Sequence, residues 1–263
     1  MKPNSLNLIS FSPTGTTRRI LEEIKSTLSV ADGQVYDLTF INESKTTTLL
    51  PADSISLIGL PVYGGRLPLE GVERLQQING NGSLAVLVVM YGNRHYDDAL
   101  LELHDLAIEQ GFKPIAAAAF IGEHSFTTEE KPLAVGRPDA LDLEKARSFA
   151  TNIDELLERS TPIEPISVVG NSPFKERGQL PPLSPETNAE RCDKCGVCVD
   201  VCPTQAISIN GSVTTDVASC IWCCACIKAC PSDARFFENE RIAAIREKLF
   251  ANCQERREPE LFI

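Results

Sequence analysis

The feature that most constrains this chain is the placement of its cysteines. Of 10 cysteines in 263 residues, none precedes Cys192, and all but Cys253 lie between residues 192 and 230. That short region contains one pattern twice, and the second copy starts 28 residues after the first, at Cys220. An internal repeat of this kind predicts two copies of one structural unit. The copies are Cys192-Asp-Lys-Cys195-Gly-Val-Cys198-Val-Asp-Val-Cys202-Pro203 and Cys220-Ile-Trp-Cys223-Cys-Ala-Cys226-Ile-Lys-Ala-Cys230-Pro231.

The cysteine spacing predicts two iron–sulfur clusters. Each copy reads C-x2-C-x2-C-x3-C-P, which is the spacing of bacterial proteins that carry two [4Fe–4S] clusters. In that arrangement the first three cysteines of a copy ligate one cluster, and the fourth ligates the other cluster. The first cysteine set, predicted to hold the first cluster, is Cys192, Cys195, Cys198 and Cys230. The second cysteine set, predicted to hold the second cluster, is Cys220, Cys223, Cys226 and Cys202.

Zinc and disulfide bonds are the alternatives for so many cysteines. Structural zinc sites usually take their four ligands as two separated pairs, whereas these cysteines form triplets followed by Cys-Pro. The start of the chain shows no secretory signal, so we expect a cytoplasmic location, in which thiols stay reduced. Cys224 and Cys253 stand outside the repeated pattern and are predicted to be buried thiols that are not ligands. Trp222 is predicted to be an apolar cover over the second cluster loop.

Charge and hydropathy restrict the partners. The chain has 25 basic and 36 acidic residues, which gives a formal net charge of −11. A nucleic-acid-binding protein would show basic patches, whereas an acidic surface favours basic partners. No run approaches the roughly 18 apolar residues that a membrane-spanning helix needs. The sequence therefore predicts other redox proteins as partners, no nucleic acid and no membrane span, and it leaves a homodimer open.

The first 160 residues alternate short apolar runs with amphipathic segments. Ile20, Ile24 and Leu28 recur every four residues, as on one face of a helix. Buried strands that alternate with helices predict an α/β fold, a doubly wound parallel sheet of five strands with helices on both faces. The runs predicted to be strands are residues 6–11, 35–38, 55–60, 84–90 and 115–121.

The composition changes after residue 160. Residues 161–187 contain six prolines, which neither a helix nor a central strand tolerates. We therefore expect an α/β domain over residues 1–160 and a stiff, proline-rich linker over residues 161–187. Residues 188–263 are predicted to form a small α+β domain that holds both clusters and ends in a helix.

Three loops at one edge of the predicted sheet are suited to a phosphate and a flat ring. In a sheet of strand order 2-1-3-4-5, ligands bind where strands one and three diverge. The loop after strand one opens a helix, and its backbone N–H groups and the helix dipole favour a phosphate, although a plain capping turn is the alternative. The loops are Ser12-Pro13-Thr14-Gly15-Thr16-Thr17 after strand one, Pro61-Val62-Tyr63-Gly64-Gly65 after strand three, and Tyr91-Gly92-Asn93-Arg94-His95-Tyr96 after strand four.

These loops and the cysteine repeat together closely resemble the flavodoxin–ferredoxin fusion proteins of anaerobic prokaryotes, over essentially the whole chain. The resemblance implies FMN, with its phosphate on residues 12–17 and its ring between loops 61–66 and 91–97. It also implies that Tyr63 stacks on the ring and that the Gly64–Gly65 backbone binds flavin N5. The first loop departs from the common flavodoxin pattern Thr-x-Thr-Gly-Asn-Thr at Ser12 and Thr16. The alternatives are a solvent-exposed Tyr63 and a surface ion pair for Arg94.

The predicted cofactors favour an electron carrier. Low-potential electrons would pass between redox partners through two [4Fe–4S] clusters and FMN, and the sequence shows neither a nicotinamide-binding fingerprint nor an obvious acid–base pair. The alternative is a flavin-dependent reductase of a small acceptor such as a quinone or a disulfide, fed by its own clusters. Arg94, Tyr96 and His124, which lies in the loop after strand five, motivate that alternative. A redox sensor or cluster-storage protein without FMN is a third interpretation.

Overall fold

The first part of the chain is an alternating α/β unit. A computed structural model describes residues 2–41, 46–159 and 161–263, so the predicted domain boundary at residue 160 lies outside the described residues. The strands here are β1 (Ser5–Ser10), β2 (Asp32–Asp37), β3 (Thr48–Leu49), β4 (Ser54–Pro61), β5 (Ile78–Asn79), β6 (Leu84–Tyr91) and β7 (Lys113–Ile121). The helices are α1 (Thr16–Thr27), α2 (Leu69–Leu75), α3 (Ala99–Glu109) and α4 (Ala140–Glu158).

The second part of the chain contains shorter elements around the cysteines. Its strands are β8 (Glu186–Thr187), β9 (Ile207–Asn210), β10 (Ser212–Thr215), β11 (Arg235–Phe236) and β12 (Glu260–Phe262). Its helices are α5 (Val197–Asp200), α6 (Ala225–Lys228) and α7 (Glu240–Asn252). β9 and β10 form an antiparallel hairpin, and β11 pairs antiparallel with β8, at the end of the segment predicted to be a linker.

The large sheet has the strand order β12-β7-β6-β4-β1-β2. Five strands of this sheet, β2, β1, β4, β6 and β7, are parallel to one another. They are the five predicted strands in the predicted order 2-1-3-4-5, which confirms the flavodoxin-like, doubly wound fold. The sixth strand, β12, was not predicted. It pairs antiparallel with residues 117–119 of β7, so the C-terminal tail returns to the first part of the chain and covers the edge of the sheet.

Two apolar layers hold the sheet between its helices. On one face, Ile20 and Ile24 of α1 and Phe149 of α4 pack against alternate residues of the strands, such as Val86 and Val88. On the other face, α2 and α3 cover the remaining alternate residues. Burial on both faces explains why β6 and most of β7 are continuous apolar runs. No helix in the described part of the chain combines the length and the apolar character that a membrane crossing requires.

The cysteine repeat of the sequence is also a repeat of backbone conformation. Helices α5 and α6 start at equivalent positions, Val197 and Ala225. A positive φ recurs at three equivalent pairs, which are Lys194 and Trp222, Gly196 and Cys224, and Gln205 and Asp233. The two copies are therefore two versions of one loop–helix–turn unit, as the sequence repeat predicts.

Candidate functional site

A large cavity lies where the loops after the parallel strands meet. Its volume is about 690 Å³, within the range typical of small-molecule and cofactor sites. The loops after β1, β4, β6 and β7 all contribute, so the structure brings the three loops singled out from the sequence to one place. The predicted residues that line the cavity are Thr14, Thr16, Pro61, Val62, Tyr63, Gly64, Tyr91, Gly92 and Arg94.

The loop after β1 presents a helix N-terminus beside the cavity. Gly15 has a φ of +79° directly before α1, a conformation that glycine adopts without strain. The hydroxyls of Thr14 and Thr16 lie 3.5 Å apart at the cavity wall. The first turn of α1 contains no acidic residue, so the positive end of the helix dipole is available to an anion.

The other four predicted members of that loop do not line the cavity. The Ser12 hydroxyl accepts a hydrogen bond of 3.1 Å from the Arg18 N–H, which is the capping role named above as the alternative. Pro13 and Gly15 shape the turn. The Thr17 hydroxyl is buried and has no partner among the described residues, a state that buried polar atoms rarely keep unless a ligand or water bonds to them. The loop therefore suits an anion of phosphate type.

The loop after β4 is a tight turn. Tyr63 N–H donates to the Arg66 carbonyl at 2.8 Å, and Arg66 N–H donates back at 3.2 Å. Gly64 and Gly65 occupy the bend with φ of +63° and +89°. A Cβ on Gly65 would collide with the Asp97 carboxylate, whereas one on Gly64 would meet no atom of the described chain within 4 Å. The exposed Gly64 backbone can therefore approach a ring closely.

Tyr63 is not the solvent-exposed tyrosine of the alternative. Its ring is half-buried and lines the cavity. Burial, and then the proximity of the Cys223 and Cys224 thiols, raise the pKa of the Tyr63 hydroxyl well above its ordinary value. The phenol therefore stays protonated, and its ring offers a flat apolar surface to a ligand.

The loop after β6 divides into residues at the cavity and residues that hold the C-terminal tail. Arg94 lines the cavity while its guanidinium pairs with Asp97 at 2.6 Å, so the predicted surface ion pair is present. Asn93 and Tyr96 lie outside the cavity lining. The Asn93 amide donates to the carbonyls of residues 253 and 255, and the Tyr96 hydroxyl donates to Glu260 at 2.6 Å. Both side chains thus anchor the tail that leads into β12.

His124, in the loop after β7, packs on the loop after β6. A Cβ on Gly92 would lie 2.5 Å from the His124 ring, so only glycine permits this contact. Burial, with help from Lys228 and Arg94, lowers the pKa of His124 to about 4. The neutral ring accepts the Phe126 N–H at Nδ1, at 3.0 Å, and therefore carries its proton on Nε2. His124 thus brings a neutral N–H donor to the cavity.

The proline-rich segment forms a strap across the cavity, which the sequence did not predict. Asp98 accepts both N–H groups of Asn171, from the backbone and the side chain, and the Lys175 backbone N–H at 2.6 Å. Burial alone would raise the pKa of Asp98, but these bonds outweigh it and hold the pKa below its usual value. Residues 175–181 line the cavity. The signals in the sequence were the apolar residues Phe174 and Leu180, which could dock on either domain, and the charged run from residue 175 to residue 177.

Charged side chains hold the strap to the α/β part. Glu102 of α3 accepts hydrogen bonds from Arg66 Nε at 2.8 Å, from Arg66 Nη2 at 3.0 Å and from Arg177 Nη2. Arg66 Nη1 also donates to the Lys175 carbonyl, and its guanidinium lies 4.8 Å from the centre of the Phe174 ring. One buried carboxylate therefore connects the loop after β4 with the strap.

The eight predicted ligand cysteines surround two separate small cavities. The four thiols of the first cysteine set line one cavity, and the four thiols of the second cysteine set line the other. This grouping includes the exchange of the fourth cysteine between the copies. Within the described residues, no group of three or more His, Cys, Asp or Glu side chains has the arrangement that one metal ion needs. Four thiols spread around a cavity instead suit a cluster with several irons.

Backbone N–H groups point at the fourth cysteine of each copy. Ala206 N–H donates to Cys202 Sγ at 3.3 Å, and Ala234 N–H donates to Cys230 Sγ at 3.2 Å. Such bonds stabilise thiolates and tune the potential of a cluster. Burial raises the pKa of the Cys226 thiol, and the Arg235 guanidinium opposes that shift. The donor set therefore fits iron–sulfur clusters.

The two cysteine cavities differ in their exposure. Cys195 of the first cysteine set is exposed, whereas Cys223, its equivalent in the second cysteine set, is buried. Burial raises the pKa of Cys223 to about 12. The first cavity therefore has one cysteine at the solvent, whereas the cysteines of the second set are buried or half-buried.

The second cysteine cavity adjoins the large cavity. Ile221 lines both of them, and Trp222 lines the large cavity. The Trp222 ring is 8% exposed and meets Phe237 edge-on at 5.4 Å, and its Nε1–H donates to the Leu183 carbonyl. The predicted role of Trp222 as an apolar cover is consistent with this packing. Cys224 is 2% exposed and Cys253 is half-buried.

Comparisons with known proteins agree with the cysteine pattern. A family model described as a 4Fe–4S binding domain matches residues 185–208, which include the whole first copy of the repeat. No curated protein sequence matches the chain. The match supports a 4Fe–4S binding domain in the second part of the chain, over the residues of the first copy.

Solved flavodoxin structures resemble the first part of the chain. A flavodoxin from the domain Archaea is 12% identical, with 59% of this chain and 99% of that chain covered and a TM-score of 0.40. The Streptococcus pneumonia TIGR4 flavodoxin is 17% identical, with 58% and 99% covered and a TM-score of 0.40. A Fusobacterium nucleatum flavodoxin bound to flavin mononucleotide is 16% identical, with 58% and 98% covered and a TM-score of 0.39. At these scores the flavodoxin-like fold rests on the strand order of the sheet itself.

Proposed function

We propose that this flavodoxin–ferredoxin fusion transfers low-potential electrons between redox partners. The observation that carries the proposal is the position of Ile221, which lines both the second cysteine cavity and the large cavity. Two redox sites that share one wall residue are close neighbours. FMN in the large cavity and one [4Fe–4S] cluster in each cysteine set would supply the electron-accepting chemistry.

The large cavity has the groups that FMN requires. Thr14, Thr16 and the N-terminus of α1 would hold the phosphate, and Tyr63 and the Gly64 backbone would lie against the ring. The strap over residues 175–181 would exclude water from the bound flavin. Asn93 and Tyr96, which were also predicted to bind the flavin, would act indirectly by fixing the tail that ends in β12.

The cysteine sets would hold the two clusters. Each of the eight thiolates would ligate one iron. Because Cys195 is exposed and Cys223 is buried, the first cluster site is the one that a partner protein can approach. With a net charge of −11, the chain would favour a partner with a basic docking face. The proposed domains remain the α/β domain over residues 1–160, the linker over residues 161–187 and the cluster domain over residues 188–263. From the cluster domain, β12 returns to the sheet of the α/β domain.

The test measures composition first and electron delivery second. Protein purified without oxygen should contain about eight irons and about one FMN per chain. Reduced ferredoxin should then bleach the flavin absorbance rapidly. Cys223→Ala, which removes a ligand of the inner cluster, should slow that bleaching at least about tenfold, while Cys253→Ala, outside both cysteine sets, should not. Equal flavin bleaching in Cys223→Ala and the parent protein would refute the route through the second cluster.

A flavin-dependent reductase is the second candidate, and the size of the large cavity favours it. At about 690 Å³ the cavity lies in the upper half of the usual range for small-molecule sites, and His124 and Arg94 are among the residues that line it. A small acceptor such as a quinone or a disulfide would then bind beside the flavin. Fast bleaching by NADH or NADPH, or turnover with a quinone, would favour this candidate over the carrier.

A further inference from the structure

We propose that Arg235 is a buried counter-charge that lies between the two cluster sites and makes both clusters easier to reduce. This inference rests on the proposed two-cluster function. Arg235 is 4% exposed, and buried arginines in proteins are normally paired with a carboxylate. All the hydrogen-bond partners of its guanidinium in the described chain are instead neutral oxygens or a cysteine sulfur.

The guanidinium contacts both cysteine sets. Its Nη2 donates to Cys226 Sγ of the second cysteine set at 3.7 Å, and the same side chain lines the cavity of the first cysteine set. Nη1 donates to the Thr187 hydroxyl at 2.6 Å, and Nη2 also donates to the Pro185 carbonyl and the Thr215 hydroxyl. These bonds fix the orientation of the charge between the two cavities.

One polar atom of Arg235 is left without a partner. Its Nε–H is buried, and no acceptor among the described residues bonds to it. A buried donor without a partner costs about 1–3 kcal/mol, and more when it belongs to a charged group. A negatively charged cluster in the first cavity, which Arg235 lines, would offset that cost by supplying the opposite charge.

The repeat itself identifies Arg235 as a departure. Its equivalent in the first copy, 28 residues earlier, is Ile207, which is 5% exposed and lines the cavity of the second cysteine set. The fold therefore accepts an apolar side chain at this position. In one copy the site is apolar, and in the other it carries a full positive charge beside both cavities.

The charge has a defined electrostatic consequence. One electron, taken from a reduced low-potential redox protein, adds one negative charge to a cluster site without an accompanying proton. A fixed positive charge a few ångströms away stabilises that added charge, and the effect is large where solvent screening is weak. Removal of the charge from Arg235 therefore lowers the reduction potential of the clusters.

The experiment compares cluster potentials in the holoprotein by EPR-monitored redox titration. Arg235→Ile, which uses the residue of the first copy, and Arg235→Gln remove the charge, while Arg235→Lys keeps it. We expect the ratio of reduced to oxidised cluster, at a fixed solution potential, to fall about tenfold in the neutral variants, equivalent to about 59 mV for one electron. Arg235→Lys should stay within about threefold of the parent protein. Ile207→Met, at the equivalent position, is the matched control.

Iron and sulfide analysis separates this inference from the proposed function. A parent protein with far fewer than about eight irons would refute the two-cluster function itself. Full clusters with unchanged potentials in a neutral variant would overturn only the role of Arg235. Loss of clusters from both neutral variants, with retention in Arg235→Lys, would support the need for the charge. Loss from all three variants would overturn the proposal, because the shape of arginine and not its charge would then be essential.

Discussion

The Glu102 carboxylate holds the strap over the large cavity, and its replacement should therefore loosen that strap. Glu102→Gln keeps the size of the side chain but removes the charge that Arg66 and Arg177 share. The carboxylate also accepts the Leu67 N–H at 2.9 Å, so it is bonded from three directions. We expect lower stability and faster proteolysis of residues 171–181.

The magnitude follows from the burial of the partners. Removal of one partner of a buried ion pair costs about 3–5 kcal/mol. The side chains of Glu102 and Arg66 are 9% and 13% exposed, but that of Arg177 is 29% exposed, so water can partly solvate one of the two guanidinium groups. We therefore expect Glu102→Gln to lose about 3 kcal/mol of unfolding free energy, the lower limit of that range. For a unit of this size that loss corresponds to a decrease in Tm of about 6–12 °C.

The assay is thermal unfolding followed by far-UV circular dichroism at one scan rate. Glu109→Gln, an exposed carboxylate on the same helix, is the matched control and should change Tm by less than about 2 °C. A double mutant with Arg177→Met should lose less than the sum of the two single losses, because the residues share one interaction. A Tm for Glu102→Gln equal to that of Glu109→Gln would show that the strap is held by other contacts.

Three further predictions follow from the loops around the cavity. Gly65→Ala should destabilise the protein much more than Gly64→Ala, because a new Cβ meets Asp97 only at position 65. The Gly64→Ala variant should lose only about 1 kcal/mol of unfolding free energy. Equal midpoints of urea unfolding for the two variants would contradict this prediction. Tyr96→Phe should lower the free energy of unfolding by about 1 kcal/mol, because the hydrogen bond to Glu260 is lost. The affinity for FMN, measured by fluorescence titration, should not change. A weaker affinity would show that Tyr96 contacts the flavin. The stability of the protein should fall as the pH falls from about 6.5 to about 4, because unfolded His124 binds a proton there and folded His124 does not. The His124→Gln variant should lack this contribution to the pH dependence of the unfolding free energy, about 3 kcal/mol, when unfolding in urea is measured at each pH. The same pH profile in the variant and the parent protein would refute the prediction.

The sequence predicted those features that arise from periodicity and motif spacing. Strands β6 and β7 are nearly continuous apolar runs, so their burial on both faces is visible in the residues themselves, whereas β2, at the edge of the sheet, is largely exposed. The division of the cysteines between two cavities follows from the C-x2-C-x2-C-x3-C-P spacing. Thr14, Thr16 and Tyr63 reach the cavity because loops after parallel strands meet at one edge of the sheet.

The features that the sequence did not predict depend on contacts between distant segments. β12 has only three residues, of which Leu261 and Phe262 pack on opposite faces of the sheet, and so short an apolar run does not distinguish a strand from a tail. The strap is held by Asp98 and Glu102, about 70 residues or more from their partners Asn171 and Arg177. Asn93 and Tyr96 have side chains that suit a flavin, but the returning tail provides partners for both.

The differences between the two copies of the repeat indicate how the clusters are used. The first copy has Lys194 and Gly196 at the first two of its three positive-φ positions, and its Cys195 is exposed, as expected for a loop at the solvent. The second copy has Trp222 and Cys224 at those positions, although a non-glycine residue there costs on the order of 1 kcal/mol of strain. Burial of both side chains beneath Phe237 offsets that cost and seals the inner site beside the large cavity. A symmetric pair of loops has thus become one loop with an exposed cysteine and one sealed loop beside the large cavity.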